Sequence, residues 1–243
     1  MIYLLPHIFT TLNIFCGFFA IVKIIDGDFW KASWVIFLAI LFDIFDGRTA
    51  RFFKTSSKFG LEYDSLSDLV SFGVAPSLLI YQFSLKNFNK IGWLASFLYT
   101  ICVALRLARF NVKIFLKSNY FEGLPSPAGA AILASSVLFL LKTELGSIYK
   151  DWGLLVLTYF IAYLLVSPIQ YPSFKEFKIK KAQTFYFLVF FILGLTVIAS
   201  NPSLYLFIIF WFYLLLGPLL FFKENGKKFW KSFLEKIKKL KEN

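Results

Sequence analysis

Residues 34–53 read WVIFLAILFDIFDGRTARFF, an apolar run that ends in a segment with two aspartates and two arginines. A membrane-spanning helix needs about 20 mostly apolar residues. This run belongs to the second of eight such segments, which lie at about residues 5–25, 29–50, 60–84, 91–110, 125–142, 152–170, 184–200 and 203–222. No alternation typical of strands competes with them. The sequence therefore predicts an all-α, polytopic membrane bundle with about eight transmembrane helices.

The composition of the 243 residues excludes a soluble single-core domain. Hydrophobic residues make up 58% of the chain and aromatic residues 21%, with 33 phenylalanines, whereas soluble domains contain about 45–50% apolar residues. The same values exclude disorder. The two cysteines, Cys16 and Cys102, lie inside apolar runs and are too few for a disulfide scaffold.

The charge of +12 favours anionic membrane lipid over nucleic acid as a partner. With eight spans, most of the 26 Lys and Arg residues fall on the side that holds both termini. The positive-inside rule then predicts that both termini lie in the cytoplasm. Residues 1–222 form the predicted transmembrane domain, and residues 223–243 form a basic amphipathic tail that either lies in the interface or is solvated.

Four carboxylates occupy places where charge is costly in a membrane. Asp43 and Asp46 are spaced i,i+3 in the second span, and Asp64 and Asp68 are spaced i,i+4 in the third, so each pair shares one helix face. Four converging carboxylates need cations to neutralise them. Oxygen ligands alone predict a hard cation such as Mg²⁺, Mn²⁺ or Ca²⁺, and four of them suit two metals. The alternative is ordinary helix-end ion pairing with nearby Arg and Lys residues.

The spacing of these residues resembles the signature of the CDP-alcohol phosphatidyltransferase family. The matching positions are Asp43-x-x-Asp46-Gly47-x-x-Ala50-Arg51, eight residues, then Gly60-x-x-x-Asp64-x-x-x-Asp68. Flanking residues 5–13, 59–76, 104–111 and 123–127 resemble the phosphatidylserine synthase branch of that family. His7 departs from the branch, which we expect to carry Asn at that position.

The resemblance implies a metal-dependent transfer of the phosphatidyl group from CDP-diacylglycerol to the hydroxyl of L-serine, with release of CMP. It implies two divalent cations, Mg²⁺ or Mn²⁺, with Ca²⁺ as a non-productive substitute. Metal ligands would be the four aspartates, and Asp68 would also be the catalytic base. The residues expected at the nucleotide and diphosphate are Gly47, Ala50, Arg51 and Gly60. The family is commonly dimeric, and the small-residue faces of this chain permit a homodimer.

Four further residues have two interpretations each. Thr10 and Asn13 lie one turn apart in the first span, where they either contact the nucleotide or form hydrogen bonds between helices. Arg106 and Arg109 end the fourth span, where they either bind the serine carboxylate or a phosphate, or anchor the helix at the cytoplasmic surface.

Other functions stay open at this point. The acceptor alternatives are glycerol phosphate and inositol phosphate, and the donor alternative is an archaeal ether-linked CDP-lipid. A cation transporter is the alternative from another class, but it leaves Gly47, Ala50, Arg51 and Gly60 unexplained.

Overall fold

The computed structural model describes residues 4–53, 57–115, 123–143, 147–169, 171 and 184–241, and over these ranges it contains helices and no strand. The predicted all-α class is confirmed. The helices are α1 (Leu4–Ile25), α2 (Phe29–Phe53), α3 (Lys58–Asp68), a π-helical segment (Leu69–Val74), α4 (Ala75–Phe83), a 3₁₀ turn (Leu85–Phe88), α5 (Asn89–Phe115), α6 (Ser126–Leu140), α7 (Ser147–Val166), α8 (Thr184–Ser200) and α9 (Pro202–Lys241).

Each predicted span coincides with a helix, and the third span corresponds to α3, the π segment and α4 in series. Four described stretches are long and apolar enough to cross a membrane, namely His7–Ile25, Lys58–Phe83, Leu85–Val112 and Pro202–Phe221. Large apolar side chains cover the outer surface, where Phe15, Phe18 and Tyr163 are each more than 60% exposed. Exposed apolar surface of this extent is typical of a protein that faces lipid.

Helix α6 lies at the centre of the bundle. Every residue from Gly129 to Leu138 is buried, so the helix is enclosed on all sides. Its sequence over that stretch contains three alanines, two serines and one glycine, which let neighbouring helices approach closely.

The predicted break at residues 26–28 is confirmed as the tight turn between α1 and α2. Gly27 has φ +77°, a left-handed conformation that glycine adopts without a steric penalty. Asp28 Oδ1 accepts a hydrogen bond from the Lys31 backbone N–H at 3.0 Å and so caps the start of α2.

The π segment follows Asp68 directly, and its cause lies in the sequence. Pro76 has no N–H, so the carbonyl of Phe72 cannot receive its usual α-helical hydrogen bond. The Tyr99 hydroxyl donates to that carbonyl at 2.8 Å instead, and the Ala75 N–H reaches back five residues to the Val70 carbonyl. π-helical turns of this kind occur frequently at functional sites.

Helix α9 continues without interruption through 40 residues. Its first half packs on α6, where Trp211 Nε1 donates to Ser136 Oγ at 3.1 Å, and the Tyr171 hydroxyl donates to the Leu214 carbonyl at 3.1 Å. The division of the chain at residue 222 stays a prediction.

Gly17 of α1 lies so close to the π segment that a Cβ atom there would come within 2.8 Å of the Ser71 Cα atom. Gly153 of α7 has open space around the corresponding position. Gly17→Ala should therefore destabilise the protein by about 1–3 kcal/mol through overpacking. Gly153→Ala should instead stabilise it by about 0.5–1 kcal/mol, because alanine is the better helix former.

Thermal unfolding of the two purified variants in the same detergent measures this difference. Shifts of equal sign and size would show that the α1–π contact is not the tight approach described above.

Candidate active site

Three predicted carboxylates, one from the second half of α2 and two from the second half of α3, lie close together. Asp43, Asp64 and Asp68 each place one carboxylate oxygen within 4.8 Å of the others. Asp68 is 7% exposed, so this charge lies largely out of contact with solvent. The structure thus brings together three of the four aspartates expected from the sequence.

The fourth aspartate, Asp46, lies beside this group. Its carboxylate is close enough to interact electrostatically with Asp43 and Asp64. Its Oδ2 accepts a hydrogen bond of 2.5 Å from Thr10 Oγ1, so α1 holds the side chain from the other side. Asp46 is 7% exposed and occupies the same face of α2 as Asp43.

Helix α1 contacts the aspartate-bearing helices through a set of polar contacts, the seam, which is formed by Thr10, Asn13, Ser67 and Ser71. Asn13 Nδ2 donates to Asp68 Oδ1 at 3.1 Å. Two serines form hydrogen bonds to the backbone of α1. Ser67 Oγ of α3 donates to the Thr10 carbonyl at 3.1 Å, and Ser71 Oγ of the π segment donates to the Asn13 carbonyl at 2.9 Å. The contacts of Thr10 and Asn13 are therefore of the helix-to-helix type, and a contact with nucleotide stays a prediction for both.

The two arginines of α5 have different surroundings. Arg106 Nη1 donates to Ser126 Oγ at 3.1 Å, and its charge is close enough to interact with Asp68 and Asp43. Its Nε is buried and has no hydrogen-bond partner among the described residues. Arg109 donates to the carbonyls of Val166 and Leu165 at the end of α7, at 3.1 and 3.4 Å. Arg106 faces the carboxylates, whereas Arg109 binds the negative end of a helix dipole.

The remaining motif residues lie near the end of α2 and near the start of α3. Gly47 is exposed on α2. The Gly60 N–H donates to Ser57 Oγ at 2.9 Å, and a Cβ atom on Gly60 would lie 3.1 Å from His7 Cε1, so the missing side chain leaves room for α1. Ala50 and Arg51 belong to α2, but their side chains lie outside the described ones.

Sequence reasoning assigned no role to Asn111, although the residue stands in the ARFN segment. Asn111 Nδ2 donates to Ser65 Oγ at 3.0 Å and to Glu62 Oε2 at 3.2 Å. These partners flank Asp64 in the sequence, so α5 contacts the middle of α3 on both sides of that aspartate. Ser126 as the partner of Arg106 was missed too, because contacts between distant helices leave no trace in the spacing along one helix.

The donor set suits a hard cation. Like charges this close are unfavourable unless a cation or a proton compensates them. Asp64 Oδ1 is buried and has no hydrogen-bond partner in the described part of the chain, although buried carboxylate oxygens normally have one. An orphaned oxygen beside two further carboxylates fits a divalent cation with oxygen ligands.

Comparison with known proteins agrees with this geometry. The profile of the family described as CDP-alcohol phosphatidyltransferase matches residues 3–167. The chain is 41% identical over 181 residues to a CDP-diacylglycerol–serine O-phosphatidyltransferase of Helicobacter pylori strain J99, covering 73% of this chain and 75% of the relative. It is 37% identical to the enzyme of that name from Bacillus subtilis strain 168, covering 71% and 92%. It is 38% identical to an archaetidylserine synthase of Methanothermobacter thermautotrophicus, covering 69% of each chain.

The matched stretch contains all four aspartates, the seam formed by α1, and Arg106. Both the carboxylate cluster and the extent of the match lead to one conclusion: the chain belongs to the CDP-alcohol phosphatidyltransferase family.

Proposed function

We propose that this protein is a phosphatidylserine synthase, which transfers the phosphatidyl group from CDP-diacylglycerol to the hydroxyl of L-serine and releases CMP. The observation that carries the proposal is the convergence of Asp43, Asp64 and Asp68 within 4.8 Å, with Arg106 facing them. Relatives of 35–41% identity that carry this name support serine as the acceptor.

Asp43, Asp46, Asp64 and Asp68 are the proposed ligands of two divalent cations, Mg²⁺ or Mn²⁺. Bound there, the cations would neutralise the diphosphate of the donor and stabilise the charge on the departing CMP phosphate. Gly47, Ala50, Arg51 and Gly60 are the proposed contacts of the nucleotide and diphosphate. A glycine lets a ligand approach the backbone, and the arginine offers a planar fork of donors for phosphate oxygens.

Asp68 is the proposed catalytic base. Asn13 donates to one of its carboxylate oxygens and thereby fixes the orientation of the group. Asp68 accepts the proton of the serine hydroxyl while the serine oxygen bonds to the phosphatidyl phosphorus and the bond from that phosphorus to the CMP oxygen breaks. The electron pair of the broken bond leaves with CMP.

Arg106 is the proposed site for the serine carboxylate. Its guanidinium donates to Ser126, and no residue in the described part of the chain accepts a hydrogen bond from its buried Nε. A planar guanidinium binds a carboxylate through two parallel hydrogen bonds. This places the acceptor on the side of the carboxylate cluster formed by α5 and α6.

The proposed topology has eight transmembrane helices, with both termini and the active site on the cytoplasmic face of the inner membrane. The uneven distribution of Lys and Arg supports this orientation. The 40 residues of α9 correspond to about 60 Å of helix, twice the hydrocarbon thickness, so its basic end extends beyond the membrane as the proposed tail. A homodimer stays part of the proposal through the small-residue helix faces.

An ether-linked CDP-lipid is the second candidate donor. The 38% identity to the archaetidylserine synthase favours it. Comparing turnover of diacyl and diether donors by the purified protein decides between them.

Purified protein should release CMP from CDP-diacylglycerol only when both a divalent cation and L-serine are present. The cation is needed to neutralise the diphosphate of the donor, and serine is needed as the acceptor of the phosphatidyl group. Release of CMP is followed with serine, glycerol 3-phosphate and inositol phosphate offered separately, and the lipid product is identified by mass spectrometry. Chelation of the cation serves as the blank. Equal release with glycerol 3-phosphate would transfer the assignment to that acceptor.

Asp68→Asn should lower the rate of CMP release by about 10²–10⁴-fold, since the amide has nearly the same shape but does not accept the proton. Cation and nucleotide binding, measured by calorimetry, should remain. Asp43→Asn is the contrasting variant and should lose cation binding itself. Unchanged turnover in the Asp68 variant, or normal cation titration in the Asp43 variant, would remove the respective residue from its role.

Arg106→Lys should raise the KM for serine by about tenfold to a hundredfold, because lysine keeps the charge and loses the fork of donors. Arg48→Lys is the matched control, since Arg48 is exposed at the end of α2. Steady-state kinetics with varied serine measures the effect. A KM that rises equally in both variants would contradict a direct contact between Arg106 and the acceptor.

A further inference from the structure

Helix α9 contains a proline in its interior. Pro218 has no N–H, so it cannot donate to the carbonyl of Leu214, which precedes it by four residues. The Tyr171 hydroxyl donates to that carbonyl at 3.1 Å. The π segment shows the same arrangement, in which a tyrosine of another helix donates to a carbonyl four residues before a proline. Because a buried carbonyl without a partner is costly, Tyr171 supplies α9 with a donor that the helix itself lacks.

The ring of Tyr171 also lies against α9. Any Cβ atom on Gly217 would collide with the ring, so the glycine lets the ring reach the backbone of the helix. The centroid of the Tyr171 ring lies 5.5 Å from that of Tyr213. Tyr171 is only 6% exposed, although it belongs to no helix. One side chain thus contacts a full turn of α9, from Tyr213 to Gly217.

The segment that carries Tyr171 is itself held in place. The Gly123 N–H donates to the carbonyl of Ile169, two residues before Tyr171, at 2.8 Å. Arg109 donates to the last two carbonyls of α7, just before this segment. Arg109 and Arg106 both belong to α5. Tyr171 therefore contacts α9 from a segment that is attached to the helix carrying Arg106.

Tyr213 connects this contact with the active site. Its hydroxyl is close enough to interact electrostatically with Arg106. It lines one cavity together with Pro125, which immediately precedes Ser126, the hydrogen-bond partner of Arg106. Tyr171 and Tyr213 both lie beyond residue 167, where the match to the family profile ends. The contact between them links a part of the chain outside that match to the proposed acceptor site.

We infer that Tyr171 is a positioning residue of the active site, which holds α9 so that Tyr213 limits the orientations of the Arg106 guanidinium. The inference rests on the proposed function for the role of Arg106 in binding the serine carboxylate. A guanidinium must lie in one plane with the carboxylate to donate two parallel hydrogen bonds. A neighbouring ring that excludes other orientations lowers the entropic cost of binding. A shift of α9 should therefore weaken the binding of serine.

The carboxylate cluster should not respond to such a shift. The hydrogen bonds that join α1 to Asp46 and Asp68 involve no residue of α9 and none of the segment that carries Tyr171. Loss of the Tyr171 contact should thus raise the KM for serine and leave kcat and cation binding near their wild-type values. A general loss of structure would instead lower all three functions together.

Removal of the Tyr171 hydroxyl alone tests the inference in the full-length protein. Tyr171→Phe should raise the KM for serine by about tenfold and leave kcat at saturating serine within about twofold of wild type. Cation binding, measured by calorimetry, should be unchanged. Tyr163→Phe is the matched control, since Tyr163 is 61% exposed on α7, and it should keep the wild-type KM. Equal KM values in the two variants, or a parallel fall of kcat and cation binding in Tyr171→Phe, would overturn the inference.

Gly217→Ala disturbs the same contact from the side of α9. The added Cβ atom displaces the Tyr171 ring, so the KM for serine should again rise by about tenfold with kcat retained. Gly194→Ala on α8 is the matched control, because no described atom lies within 4 Å of a Cβ atom at that position. A serine KM in Gly217→Ala no higher than in the control would contradict the inference.

The pairing of Tyr171 with Pro218 is testable without turnover. Pro218→Ala returns an N–H that can donate to the Leu214 carbonyl. The loss in the midpoint of thermal unfolding caused by Tyr171→Phe should therefore be about half or less in the Pro218→Ala background. The KM for serine of the double variant should return towards the wild-type value.

Equal thermal losses in the two backgrounds would overturn the inference, because the hydroxyl would then not replace the missing N–H. Absence of serine-dependent CMP release from the wild-type protein would contradict the proposed function alone, since the thermal comparison does not depend on activity.

Discussion

Electrostatic repulsion within the carboxylate cluster is the constraint on which this structure depends. Asp43, Asp64 and Asp68 each place one carboxylate oxygen within 4.8 Å of the others, and ionised carboxylates at that separation repel one another. Helix α1 opposes this through hydrogen bonds to both sides, from Thr10 to Asp46 and from Asn13 to Asp68. Both donors are neutral, so these two hydrogen bonds add no positive charge to a cluster that could hold a metal ion.

The sequence predicted those features that depend on patterns along one chain segment. Apolar runs predicted eight helical segments, of which the third corresponds to α3, the π segment and α4 together, and i,i+3 and i,i+4 spacing placed two aspartates on each of two faces. The π segment was missed, although its signal was present in Pro76, because removing one helical hydrogen bond permits a kink as well as a π turn. The Tyr99 hydroxyl, which donates to the carbonyl that Pro76 leaves without its helical partner, comes from another helix, so spacing along one helix does not indicate this contact.

Arg106 and Arg109 show where spacing along a helix stops being informative. They lie three residues apart on α5, so the pattern alone assigns both to the same face. Their long side chains nevertheless reach different partners, a serine of α6 for Arg106 and the last carbonyls of α7 for Arg109. Such a division depends on how α6 and α7 pack against α5, and a single sequence contains no direct record of that packing.

The way the helices are joined follows from the apolar surroundings. In lipid, helices gain little by burying apolar side chains, so specific association relies on close backbone approach and interhelical hydrogen bonds. Helix α1 uses Gly17 together with Ser67 and Ser71, and α9 uses Gly217 together with Trp211. The two sets share no residue, so α1 and α9 are attached to the bundle through separate contacts.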